Sequence, residues 1–137
     1  MKISKINLYE VIVPAKKGTI DSAEINKPLH KLSVGVDQGW SIQFDKLSKI
    51  LISIELSNGI VGWGECYRGN LMREVKEIAK KFIGIDIEKI IRQKLPIPYT
   101  RIYDGFECAI WDSFARLKNI RVVDLLGGEV REKVKVG

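Results

Sequence analysis

One histidine, His30, stands among 137 residues, and there are only two cysteines, Cys66 and Cys108. A single imidazole cannot complete a Cys/His zinc site or a Ser-His-Asp set. Two cysteines do not make a disulfide framework, so reduced thiols and a cytoplasmic protein are expected. No apolar run approaches the ~18 residues of a membrane span, and no apolar stretch near the start reads as a secretory signal. The net charge of +6 is spread thinly. The longest basic runs are Lys16-Lys17 and Lys80-Lys81, without interleaved aromatics, so neither nucleic acid nor a membrane surface is an expected partner. What is present is ordinary for one globular domain: 45% hydrophobic and 29% charged residues.

Residues 2–13 read as a strand through Ile3, Ile6, Leu8, Val11 and Val13, with the alternation broken once near Ser4-Lys5 and an end at Pro14. Residues 15–46 are polar and aperiodic, a long loop whose second half Trp40 and Phe44 would anchor. A hairpin follows. Ile50, Ile52, Ile54 and Leu56 form one apolar face, and Asn58-Gly59 predicts a type I′ turn. Gly62 and Gly64 alternate with Trp63 and Glu65 on the return strand and imply a closely packed cover.

From Asn70, a predicted cap, the period turns helical. Leu71, Val75, Ile78, Ala79 and Phe82 make one stripe, closed at Gly84. A second helix is predicted from an Asp86 cap to about Lys94, before Pro96 and Pro98. A third is predicted from Asp104, with Glu107 completing a capping box and Phe106, Ala109, Ile110, Ser113, Phe114 and Leu117 buried. Val122 to Leu126 would form a short turn or helix closed by Gly127-Gly128, and Val130, Val134 and Val136 would begin a strand. The expected class is α+β: a three-stranded antiparallel meander sheet followed by a small helical bundle on one face.

Four segments, taken in order, carry a resemblance: "SNGIVGWGECY" at 57–67, "FIGIDIEKI" at 82–90, "ECAIWDSFARLKNIRVVDLLGG" at 107–128 and "EVREKVKV" at 129–136. The set resembles the N-terminal capping domain of the mandelate racemase and muconate lactonising group of the enolase superfamily. The resemblance implies a capping domain at 1–128 and, at 129–137, a linker and the stub of the first strand of a catalytic (β/α) barrel. It also implies the chemistry of the whole enzyme, removal of a proton α to a carboxylate with the enediolate held on Mg²⁺. In the family the bases and metal carboxylates lie at barrel strand ends. No catalytic residue, metal ligand or cofactor is therefore expected in this chain, with Mg²⁺ in the barrel. The chain would be inactive alone, as a truncated or split enzyme. Lys133 and Lys135 have the K-x-K form of the family's basic motif but stand too early, and read as solvent-side residues.

What the resemblance leaves for this domain is the lid over the barrel. Its two loops, at 15–46 and 66–70, would exclude water and shape specificity. Lys16, Lys17, His30, Trp40, Tyr67 and Arg68 are the candidates to touch an acid-sugar or hydroxy-acid substrate. The cations would pair its carboxylate and the aromatics cover its carbon face. Glu65 and Asp112 read as structural carboxylates, paired with backbone N–H or a nearby Arg. A homo-oligomer, or a separate barrel-domain chain, is the expected partner. The alternative is a stand-alone anion- or protein-binding module built on the same fold.

Overall fold

The computed structural model describes residues 1–14, 46–66 and 70–133. Three strands, β1 (Ile3–Pro14), β2 (Lys46–Leu56) and β3 (Val61–Cys66), form one antiparallel sheet in the order β1-β2-β3. Four helices follow: α1 (Met72–Lys80), α2 (Ile87–Ile90), α3 (Tyr103–Lys118) and α4 (Val122–Leu125). This is the expected α+β plan. The break in alternation near Ser4-Lys5 is a register shift, with Ile3 opposite Leu56 but Lys5 opposite Glu55. The extra residue, Ser4, turns its hydroxyl onto the Glu55 carbonyl at 3.0 Å.

The hydrophobic face of β2 is the floor of the core: Ile50, Ile52, Ile54 and Leu56 are all buried. Phe82 and Phe106 stack above it with centroids 4.9 Å apart, each fully buried. Burial of two such side chains is worth several kcal/mol at about 25 cal/mol per Å².

α3 lies directly on β3. A Cβ at Gly62 would overlap the Ser113 backbone and hydroxyl, and one at Gly64 would overlap the Gly105 carbonyl oxygen. The helix answers with small residues at one spacing, Gly105, Ala109 and Ser113, all buried. The close cover that the strand glycines imply is this helix.

Several local expectations are corrected. The hairpin turn is not type I′, because Gly59 (φ 85°) is left-handed and Asn58 is not. Leu56 O accepts from Gly59 N at 2.8 Å while Leu56 N donates to Ile60 O at 2.8 Å, so the loop has three residues and Gly59 forms the bulge. Asn58 Oδ1 accepts from Ile60 N instead of adopting positive φ. β2 begins at Lys46, earlier than the alternation implied.

Helix starts differ too. Asn70 does not cap α1; Leu71 is the N-cap, makes no side-chain bond and is half-exposed. Asp104 does not cap α3. Ile102 holds that position, and Thr100 supplies the local bonds, its Oγ1 accepting from Ile102 N and its carbonyl from Tyr103 N. Asp86 is the expected cap, accepting from Glu88 N at 2.9 Å, but α2 ends at Ile90, not near Lys94. The Gly127-Gly128 pair closes α4 as expected, with both φ positive and Gly128 N bonded to Val123 O at 2.9 Å. Residues 130–133 form no strand, and Val130 is almost fully exposed; Val134 and Val136 lie outside the described residues.

Candidate functional site

The register of the sheet decides where its loops emerge. Pro14 pairs with Lys46, and Cys66 pairs with Ile50. β1 therefore ends, β2 begins and β3 ends at one and the same end of the sheet. The segments expected to form the lid, 15–46 and 66–70, connect to the sheet at this end. Lys16, Lys17, His30, Trp40, Tyr67 and Arg68 themselves lie outside the described residues. What the structure brings together is their anchor points.

The side chains on and beside β3 are held by structural partners. Glu65, exposed on β3, pairs with Lys49 on β2. Trp63 is half-exposed and lies against Tyr9, ring centroids 5.7 Å apart, on the sheet face away from the helices. Asp112 on α3 accepts the Trp63 backbone N–H at 2.8 Å and takes Arg116 Nε on both oxygens at 3.0 Å. β3 is the outer strand, so this carboxylate occupies a backbone donor that would otherwise face the open sheet edge. Glu65 and Asp112 each have a structural partner, as their surroundings in the sequence implied, though the partner of Glu65 is a lysine.

Neither thiol is placed for nucleophilic work. Burial, and then the charge of Glu65, pushes the Cys66 thiol up to about 11. Cys108 is raised as well, by partial burial first and then by Glu107 and Asp104. Both are protonated at neutral pH, whereas the thiolate is the reactive form. Among the described residues no group of three or more His, Cys, Asp or Glu side chains is placed to hold a metal ion. No helix among them is long and apolar enough to cross a membrane.

Beside the root of the second lid segment is a cleft of about 770 Å³. Arg73, Glu74, Glu77 and Ile78 on α1 form one wall, and Thr100, Arg101 and Ile102 before α3 form the other. Asn70 joins the two, its Nδ2 donating to Arg101 O at 3.5 Å. Sequence reasoning missed this constellation. Asn70 read as a helix cap, and nothing in the periodicity of either segment brings residue 101 to residue 73. A second cleft, between α3 and α4, is lined by Glu107, Cys108, Trp111, Val122 and Leu126, with Leu126 largely exposed.

A sheet with its loops at one end and a helix laid over its outer strand defines a class of N-terminal domain, and the comparisons identify it. The family model of the mandelate racemase/muconate lactonizing enzyme N-terminal domain matches residues 41–127. That is more than half of the chain, and the chain belongs to this family. It is 35% identical to the D-galactonate dehydratase of Pectobacterium atrosepticum over 63% of the chain and 26% of that protein. It is 26% identical to the D-galactarolactone cycloisomerase of Agrobacterium fabrum over 77% of the chain and 31% of that protein. The muconate lactonizing enzyme of Pseudomonas putida superposes on 96% of the chain with a TM-score of 0.64 at 20% identity, using 34% of its own length. The chain therefore spans between about a quarter and a third of the length of the relatives it matches.

Proposed function

We propose that residues 1–128 are the substrate lid of an enzyme that removes a proton α to the carboxylate of an acid sugar, a dehydratase or an isomerase. The observation that carries this reading is the common root of the two lid segments: the pairs Pro14–Lys46 and Ile50–Cys66 bring both to one sheet end. Kinship with a galactonate dehydratase and a galactarolactone cycloisomerase supports the substrate class. On this reading the domain binds and orients substrate and excludes water, which strengthens electrostatic contacts in the closed site. The base and metal carboxylates belong to the barrel it covers, and Lys16, Lys17, His30, Trp40, Tyr67 and Arg68 are the substrate-facing side chains. The exposed apolar side chains Ile120, Leu126 and Val130 support contact with such a barrel or with a second copy.

A lid exchange tests the reading. Residues 1–128 replace the corresponding lid of the Pectobacterium dehydratase, and the chimera and the isolated chain are assayed on a panel of acid sugars with magnesium. The expected result is turnover by the chimera and none by the chain alone. A folded chimera inert on every acid sugar would overturn the proposal, as would magnesium-dependent turnover by the isolated chain.

A further inference from the structure

We infer that the outer edge of β1, with the groove between it and α1, is a self-association surface: residues 6–12 pair antiparallel with the same residues of a second copy about a two-fold axis at Tyr9. The inference stands apart from the lid reading, because it uses neither lid segment.

The sheet's two outer edges are finished differently. On β3, Asp112 occupies the outward Trp63 N–H. On β1, Ile3 exchanges backbone bonds with Gly84 and Ile85, but beyond it the strand pairs only with β2 among the described residues. One row of its backbone donors and acceptors therefore faces outward, a template for another strand. Devices that discourage such pairing stand at its ends, the register shift at Ser4 and Pro14. Between them the sequence INLYEVI holds neither lysine nor proline.

Exposed apolar side chains follow this same edge: Tyr9 at 45%, Ile12 at 58% and Ile83 at 48%. A groove of about 490 Å³ runs between Ile6 and Leu8 on one side and Lys76, Ala79 and Ile83 on the other. Ile6 and Leu8 lie opposite the buried Ile54 and Ile52, so the even-numbered residues of β1 share the helix-bearing face. A two-fold axis keeps each side chain on its own face, so it sets odd residues opposite odd and even opposite even. Centred on Tyr9, it brings the two Tyr9 residues together, Ile12 of the second copy against Ile6 and Ile83, and Glu10 of the second copy opposite Leu8. That carboxylate then approaches Lys76, a charge of opposite sign on the groove's rim, and no like charges fall opposite each other within residues 6–12. The exposed ion pair adds little, and the backbone ladder and apolar contacts carry the pairing. An axis at Leu8 would instead set Glu10 over Ile6 and leave Ile12 beyond the groove. A second copy is the fitting occupant because each copy offers both the bare edge and the strand that fills it. One axis covers Tyr9, Ile12 and Ile83 on both copies, an interface of roughly 1,200 Å², at the small end of the specific range.

Sedimentation equilibrium from about 1 µM to about 500 µM chain spans the dimer affinities expected of such an interface. The background is Cys108→Ser, which removes the exposed thiol. The expected result is a reversible monomer–dimer equilibrium. Ile12→Lys and Ile83→Lys should each weaken it at least about tenfold, while Leu126→Lys, on the exposed surface of α4, leaves it unchanged. A cross-link locates the axis without a disruptive charge. Residues directly opposite in an antiparallel pair have Cα atoms about 4.5–5.5 Å apart, within the span of a disulfide. Under mild oxidation Tyr9→Cys should therefore yield a covalent dimer and Ile12→Cys should not. A chain that stays monomeric throughout the range would overturn the inference. So would a dimer lost in Leu126→Lys but kept in both groove variants, or one that cross-links at residue 12 and not at residue 9. Urea denaturation shows whether the lysine variants are folded; if they are not, the cross-linking pair decides.

Discussion

The two ends of the sheet are built on opposite principles. At the hairpin end the chain is tied to itself repeatedly. Ser57 N donates to Lys2 O, Ile3 exchanges bonds with Gly84 and Ile85, and Ile87 N donates to Met1 O, all at 2.8–2.9 Å. The amino terminus adds an ion pair with Asp86 at 3.0 Å. At the other end β1 stops at Pro14, β2 begins at Lys46 and β3 stops at Cys66, where the two segments proposed as the lid connect. On that proposal, loops that meet substrate need a fixed base. Here the hairpin end and the helix laid on β3 supply that base. The comparison is therefore between residues whose replacement should cost stability and residues whose replacement should cost only binding.

The largest stability effect is expected at Gly64, midway along the shared sheet. A methyl group there overlaps the Gly105 carbonyl oxygen and crowds Ala109 N, both main-chain atoms of α3, so neither can rotate away. Gly64→Ala should destabilise the domain by about 3 kcal/mol, the upper range for overpacking, and lower Tm by about 10 °C. Gly59, in the hairpin, makes an instructive contrast. Its added methyl meets nothing within 4 Å, and only the backbone φ of 85° resists substitution. Gly59→Ala should cost about 1 kcal/mol. Urea denaturation of the two variants side by side measures the difference. Equal losses would mean that α3 can lift off β3 at little cost.

How much of this was legible in the sequence follows the same division. The face of β2, the strand glycines, the Asp86 cap and the Gly127-Gly128 closure are local patterns, and each resolves as its pattern implied. The register shift at Ser4 is visible as a break in alternation. What misled was chemistry with two solutions. Asn-Gly can close a two-residue turn or a three-residue one, and the extra residue is chosen by strand register, which the turn sequence does not contain. Asn70 and Asp104 have the right side chains for caps, yet tertiary contacts start α1 after Leu71 and α3 after Ile102. The cleft was illegible for a stronger reason. Arg73 and Arg101 line one cleft only because α1 and α3 pack on one sheet, and neither segment carries a trace of the other. The six substrate-facing candidates came from family resemblance and lie outside the described residues.

Acid should loosen the hairpin end. The amino-terminal ammonium, and then the Glu88 backbone N–H, hold the Asp86 carboxyl below its ordinary range. Lys118 lowers Glu88 likewise. A carboxyl with a depressed native pKa binds fewer protons folded than unfolded, so its stabilisation is complete above the unfolded value and lost as pH falls through the native one. The thermal midpoint should therefore fall between about pH 5 and pH 2. Asp86→Asn, which keeps the acceptor for Glu88 N but removes the titrating charge, should flatten that decline while lowering the midpoint slightly at pH 7. An unchanged acid profile in this variant would mean that the tie between Met1 and Asp86 does not persist in solution.

The smallest stability effect belongs to the cleft, and that makes it the sharpest test of the division. Arg73 is exposed on α1, away from the buried Val75 and Ala79 of that helix. Replacing it by glutamine keeps helix propensity nearly constant and removes one surface charge. Arg73→Gln should therefore shift stability by no more than about 0.5 kcal/mol, measured by urea denaturation. Gly59→Ala should show the larger loss, because its backbone φ of 85° resists a side chain. If Arg73→Gln unfolds the domain, the arginine belongs to the scaffold and the division between the tied fold and its exposed helix face fails.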